Sequence, residues 1–119
     1  MNFLITGGSG FIGKNLVEAL SKIKNSKIYV IDKAKLRFKA KNVFFIKGDI
    51  GKPKTLEKIR VNLDYIYHLA ADLGVKKIVN FPVESLKNNL ITTENIIRLA
   101  KKKEPKGYFF SLQVRFILF

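Results

Sequence analysis

A short apolar run, Phe3-Leu4-Ile5, leads directly into Thr6-Gly7-Gly8-Ser9-Gly10-Phe11-Ile12-Gly13. A strand that enters so glycine-dense a turn and leaves it as a helix narrows the possible folds more than any other part of the chain. Two spacings coexist in it. Gly8, Gly10 and Gly13 give G-x-G-x-x-G, while Gly7, Gly10 and Gly13 give G-x-x-G-x-x-G. In either, the first glycine permits a tight turn with positive φ. The middle one lets the backbone approach a pyrophosphate, and the last lets the new helix pack closely on the strand. Backbone N–H groups of Phe11, Ile12 and Gly13 would then face phosphate oxygens, with the positive end of the helix dipole behind them.

The surroundings of the motif agree with a dinucleotide-binding fingerprint, which must follow a strand and open a helix. The next apolar run, Lys27-Ile28-Tyr29-Val30-Ile31, ends in Asp32. An acidic residue is expected about 20 positions after the glycines, at the tip of the second strand, to accept hydrogen bonds from a ribose diol. A carboxylate there repels the extra phosphate of NADP, so NAD is the expected cofactor, with Lys33 next door softening the preference.

Further along, Val43-Phe44-Phe45-Ile46 reads as a third strand closed by Gly48-Asp49-Ile50. Residues 63–69 read as a fourth, followed by Ala70-Ala71, and Tyr108-Phe109-Phe110 begins a fifth. Helical stretches fall near residues 11–23, 55–60 and 83–103. Leu86, Leu90, Ile96, Ile97 and Ala100 form the expected buried stripe of the last. Strands alternating with helices predict an α/β chain with a parallel, doubly wound, Rossmann-like sheet. Near-continuous apolar strands fit a sheet covered on both faces.

At this point the chain resembles the N-terminal half of an extended short-chain dehydrogenase/reductase. Within that superfamily it is most similar to NAD-dependent nucleotide-sugar epimerases and dehydratases of the UDP-glucose 4-epimerase kind. The resemblance is carried by the turn from Thr6 to Gly13, Asp32, Gly48-Asp49-Ile50, His68-Leu69-Ala70-Ala71, Pro82, Asn88-Asn89, Thr93 and Phe109-Phe110-Ser111, in family order and spacing. It implies one partial NAD-binding Rossmann domain over residues 1–119, with strand order 3-2-1-4-5, ending after the fifth strand. The implied roles follow. Gly7, Gly10 and Gly13, with the N–H groups of Phe11 and Ile12, would hold the pyrophosphate. Asp32 would take the adenosine ribose, and Asp49 and Ile50 the adenine. Leu69, Ala70 and Ala71 would line the path to the nicotinamide, and Asn89 would support the active-site backbone. His68 reads as a packed strand-end histidine rather than a catalyst.

The family continues past its Phe-Phe-Ser element with a hydroxyl-rich loop. Here the text runs Leu112-Gln113-Val114-Arg115-Phe116-Ile117-Leu118-Phe119, with Gln113 at the hydroxyl position. The family's downstream Tyr-x-x-x-Lys pair, in which lysine lowers the tyrosine pKa to make a base, is read as missing, as is the substrate domain. No catalytic residue is therefore assigned. The expected sheet leaves an edge open beside its fifth strand, and the apolar residues 114–119 favour self-association or a complementing chain there.

A net charge of +14 raises nucleic acid or anionic membrane as partners. The lysines are spread along the chain rather than gathered, so a solvated surface is the preferred reading. With no cysteine and a single histidine, neither a disulfide framework nor a zinc site is expected. No leader opens the sequence and no apolar run reaches membrane-spanning length, so a cytoplasmic protein is expected. Three functions stay open: a fragment of a nucleotide-sugar epimerase or dehydratase that keeps NAD recognition, an autonomous NAD-binding module or half of a split enzyme, and a basic nucleic-acid-binding domain.

Overall fold

The computed structural model describes residues 1–70 and 79–110. Along them run β1 (Asn2–Thr6), α1 (Phe11–Ser21), β2 (Lys27–Asp32), β3 (Val43–Lys47), α2 (Pro53–Leu56), β4 (Tyr65–His68), α3 (Pro82–Lys103) and β5 (Gly107–Phe110). All strands pair in parallel, in the order β3-β2-β1-β4-β5, as the sequence predicts. The chain turns one way from β1 to reach β2 and β3, and the other way to reach β4 and β5. A crevice opens at such a switch point, beyond the carboxyl ends of the strands. Register aligns those ends: Thr6 lies opposite both Ile31 and His68, and Asp32 opposite Lys47.

Alternation along each strand splits the core into two layers. On one face Phe3, Ile5, Ile28 and Val30 pack with Val17 and Leu20 of α1. On the other, Leu4, Ile31 and Ile66 pack with Leu56 of α2 and with Ile96, Leu99 and Ala100 of α3. Aromatic pairs extend the first layer across the strands: Phe3 stacks on Tyr65 at 5.7 Å between ring centres, and Tyr67 on Phe109 at 4.9 Å. Below the sheet, Asp64 joins three elements. Its carboxylate accepts the Asn2 N–H at 2.7 Å, its carbonyl accepts the Lys106 N–H, and its other oxygen lies 3.6 Å from Lys106 Nζ. The Asn2 hydrogen bond above all, with the Lys106 charge, holds its pKa below the usual carboxylate range.

Several boundaries differ from those predicted. Helix α1 ends at Ser21 rather than near residue 23, because Lys22 and Ile23 donate to carbonyls three residues back and Asn25 then turns left-handed at φ 59°. Helices α2 and α3 begin early, each at a proline whose fixed φ and missing N–H suit the first helical position. Strand β4 covers only Tyr65–His68, since Leu63 packs into the core from a loop.

The largest correction concerns α3. Leu86, Leu90 and Ile97, expected in its buried stripe, are exposed, whereas Ser85, Ile96, Leu99 and Ala100 are buried. At about 100° per residue, those two leucines and one isoleucine sit roughly a quarter turn away from Ile96. The sheet-facing positions in the first half of the helix go to polar residues instead. Among the described residues, Ser85 Oγ is a buried side-chain oxygen without a hydrogen-bond partner. A desolvated, unpaired hydroxyl costs about 1–3 kcal/mol, and alanine is the better helix former. Ser85→Ala should therefore raise stability by about 1 kcal/mol, read as a higher urea midpoint at unchanged slope. A lower midpoint would show that the hydroxyl has a partner after all.

Candidate dinucleotide site

The glycine turn is set by its first and last members. Gly7 has φ 75°, donates its N–H to Ile31 O at 3.0 Å, and lies so close to β4 that a Cβ would stand 2.7 Å from Ala70 N. Gly13 begins the helix so near the turn that its Cβ would fall 2.1 Å from Gly7 O. The positive φ at Gly7, not Gly8, selects Gly7, Gly10 and Gly13 as the working triplet. At Gly10 a Cβ would meet only ordinary contact, 3.5 Å from Gly7 O. Packing within the protein therefore does not require glycine there.

Asp32 closes the turn from the far side. Its Oδ2 accepts the Ser9 N–H and its Oδ1 the Ala34 N–H, each at 2.9 Å, while Ser9 Oγ donates to Ala34 O at 2.8 Å. One donor per oxygen leaves each with a further acceptor position. Asp49 is held similarly: Oδ1 accepts the Gly51 N–H at 2.8 Å and Oδ2 lies 3.9 Å from Lys33 Nζ.

These groups meet around a cleft of about 510 Å³. Of the predicted residues, Gly7, Gly10, Asp32, Asp49, Ile50, Leu69, Ala70 and Asn89 line it. Ser9, Lys33, Gly48, Lys52, Asn88 and Thr92 line it as well without having been singled out as ligand contacts. Ser9 was legible inside the motif. The two lysines and Thr92 carried no signal until the loops came together. Phe11 and Ile12 point their side chains to solvent, and Gly13 is buried beneath the turn. Their part is confined to backbone: Gly10 supplies no capping side chain, and first-turn N–H groups have no acceptor within a helix. Ala71, Ser111 and Gln113 lie outside the described residues.

His68 is 5% exposed. Its Nδ1 is 2.6 Å from Thr6 Oγ1, which accepts the Ala70 N–H at 3.3 Å, and its Nε2 is 3.4 Å from Thr93 Oγ1. Thr6 Oγ1 thus meets both the Ala70 N–H and the imidazole ring. The edge of Phe110 packs on the ring. Burial lowers the pKa to about 4. As predicted, this is a packed histidine, and its bonds tie the ends of β1 and β4 to α3.

Tyr29 and Lys33 do stand four residues apart, a Tyr-x-x-x-Lys spacing that the sequence reading overlooks. An extended strand separates such residues by about 13 Å. Tyr29 stacks on Phe44, and Lys33 pairs with Asp49. The two do not form an acid–base pair.

The sheet order and the glycine turn define a Rossmann-like fold with its crevice at the switch point. The NAD dependent epimerase/dehydratase family matches residues 3–113, and the chain belongs to that family. It is 33% identical over 114 residues to a UDP-N-acetyl-alpha-D-glucosaminuronate decarboxylase of Bacillus cytotoxicus, covering 91% of this chain and 35% of that protein. It is 34% identical over 109 residues to UDP-glucuronic acid decarboxylase 6 of Arabidopsis thaliana, covering 86% and 31%. Among solved structures, UDP-glucose 4-epimerase of Thermotoga maritima with UDP-glucose superposes with a TM-score of 0.82 at 30% identity, covering 92% of this chain and 37% of that one. The Bifidobacterium longum enzyme in complex with NAD+ and UDP gives 0.79 at 27%, covering 93% and 36%. The chain thus spans about a third of the length of the relatives it matches, and corresponds to their N-terminal, cofactor-binding portion. Among the described residues no helix is long and apolar enough to cross a membrane, and no cluster of three potential metal ligands occurs.

The His68 shift has a definite sign. Between pH 6.5 and about 4 the unfolded chain takes up a proton that the folded one refuses. The associated stability is complete above 6.5 and is lost as pH falls toward 4, by up to about 1.4 kcal/mol per pH unit. Urea unfolding at pH 5, 6 and 7 should show His68→Asn with a shallower pH dependence than the natural chain. Parallel curves would mean that the folded chain protonates this histidine as readily as the unfolded one.

Proposed function

We propose that this chain binds NAD in the cleft, as the cofactor-holding portion of an enzyme that acts on a nucleotide sugar. The observation that carries the proposal is the Asp32 carboxylate, pinned by Ser9 and Ala34 N–H groups beside a turn whose Gly10 leaves space for a pyrophosphate. The relatives named for UDP-sugar reactions and the neighbour crystallised with NAD+ support it.

The residues present fit the cofactor. Gly7, Gly10 and Gly13 shape the phosphate cradle, and the N–H groups of Phe11 and Ile12 offer it donors and the helix dipole. Asp32 accepts the ribose hydroxyls through its free acceptor positions. Asp49 and Ile50 meet the base, while Leu69 and Ala70 border the nicotinamide end and Asn89 supports the backbone there. Bound NAD supplies a hydride acceptor for oxidation of a sugar hydroxyl. The described residues would position it, and among them none is placed as a base to take the hydroxyl proton. That group, and the surface that holds the sugar, would come from elsewhere in a longer chain or from a complementing chain along β5. On this proposal the protein is cytoplasmic, and its lysines form a solvated surface rather than a nucleic-acid site.

Calorimetry on the 119-residue chain should show NAD bound in preference to NADP. Asp32→Ala should weaken NAD by about 5- to 30-fold, the equivalent of about 1–2 kcal/mol for hydrogen bonds to a charged acceptor. Equal or tighter NADP binding by the natural chain would overturn the assignment. The same purified chain should give no epimerase or dehydratase turnover on UDP-sugars, since acid–base groups alone are worth ~10²–10⁴ in rate. Turnover above background without an added partner would refute the proposed division of labour.

A further inference from the structure

Asn95 lies outside the cofactor cleft, on the wall of a separate groove between α2 and α3. Its Nδ2 crosses to the β3 side and donates to Ile50 O at 2.8 Å, a bond between residues 45 apart. Ile50 itself is buried in the core cluster that includes Ile96 and Leu99, neighbours of Asn95 on α3. The same short loop is fixed twice more. Asp49 O accepts the Lys52 N–H at 3.0 Å, and Asp49 Oδ1 accepts the Gly51 N–H at 2.8 Å. Three acceptors of the Asp49–Ile50 segment are thereby occupied by the protein. Asp49 and Ile50 both line the cleft, the Ile50 N–H being a donor and Asp49 Oδ2, 3.9 Å from Lys33 Nζ, an acceptor.

We propose that Asn95 is a positioning residue for base selection: by holding the Ile50 carbonyl it keeps the Ile50 N–H and Asp49 Oδ2 in register with the edge of an adenine. This rests on the assignment of the cleft to NAD. Adenine presents a donor at N6 and an acceptor at N1, the complement of that pair. Hypoxanthine presents an acceptor and a donor in those places, and so would face like against like. Without Asn95 the carbonyl loses its partner, the loop can rotate, and the distinction between the two bases fades.

The test is calorimetry of NAD and of nicotinamide hypoxanthine dinucleotide on the natural chain, Asn95→Ala and Asn95→Asp, with melting curves showing each folded. Asn95→Asp keeps the size and removes the donor; Asn95→Gln, a third variant, keeps a donor. The natural chain should favour NAD by about tenfold or more, the equivalent of one well-placed hydrogen bond. The ratio should fall toward one in Asn95→Ala and Asn95→Asp and recover in part in Asn95→Gln. A purely structural role would lower both affinities by the same factor and leave the ratio intact, which would overturn the proposal. So would a natural chain that binds both ligands equally, even if no variant folds. Failure of the natural chain to bind either ligand would remove the NAD assignment together with this inference.

Discussion

The contact between Gly7 and Gly13 is the constraint on which the rest of this structure depends. The helix α1 returns so closely on the turn that no side chain fits at Gly13, and the turn lies so close to the end of β4 that none fits at Gly7. Gly7 also takes a conformation that other residues adopt at a cost. Together these place the positive end of α1 over the carboxyl ends of β1 and β4, at the point where the sheet order reverses. The residues that line the cleft are arranged around that point.

Two polar networks then hold the rim. On the β2 side, Asp32 gathers the Ser9 and Ala34 N–H groups, so that end of the cleft is fixed by the protein itself. On the β4 side, the neutral His68 joins Thr6, and through it Ala70, to Thr93 of α3. Neither network spends its members fully. Asp32 keeps an acceptor position on each oxygen, whereas His68 uses both ring nitrogens inside the protein and has none to offer a substrate.

The helix α3 shows how a functional cleft distorts a sequence pattern. Its apolar residues suggest one orientation, yet it turns roughly a quarter turn from that, with Asn89 and Thr92 on the cleft and Thr93 at the histidine. Polar side chains take inward positions because the inward direction there is an open cleft rather than a packed core. Further along the same helix, Ile96, Leu99 and Ala100 return to the core, where the apolar periodicity reads correctly.

The sequence by itself determined the alternation of strands and helices, the glycine turn and the acid at the tip of β2, because each is a local requirement of backbone geometry or a spacing along one element. From these the parallel sheet and the place of its crevice were legible. Tertiary structure alone decided which glycine takes the positive φ, how α3 is rotated, that Lys33 reaches Asp49, and that Asn95 holds Ile50. Each of these joins residues distant in sequence, or depends on which of two surfaces a helix meets. No local pattern encodes that: the same side chains satisfy a helix or a loop equally well until the sheet brings their partners within hydrogen-bonding distance.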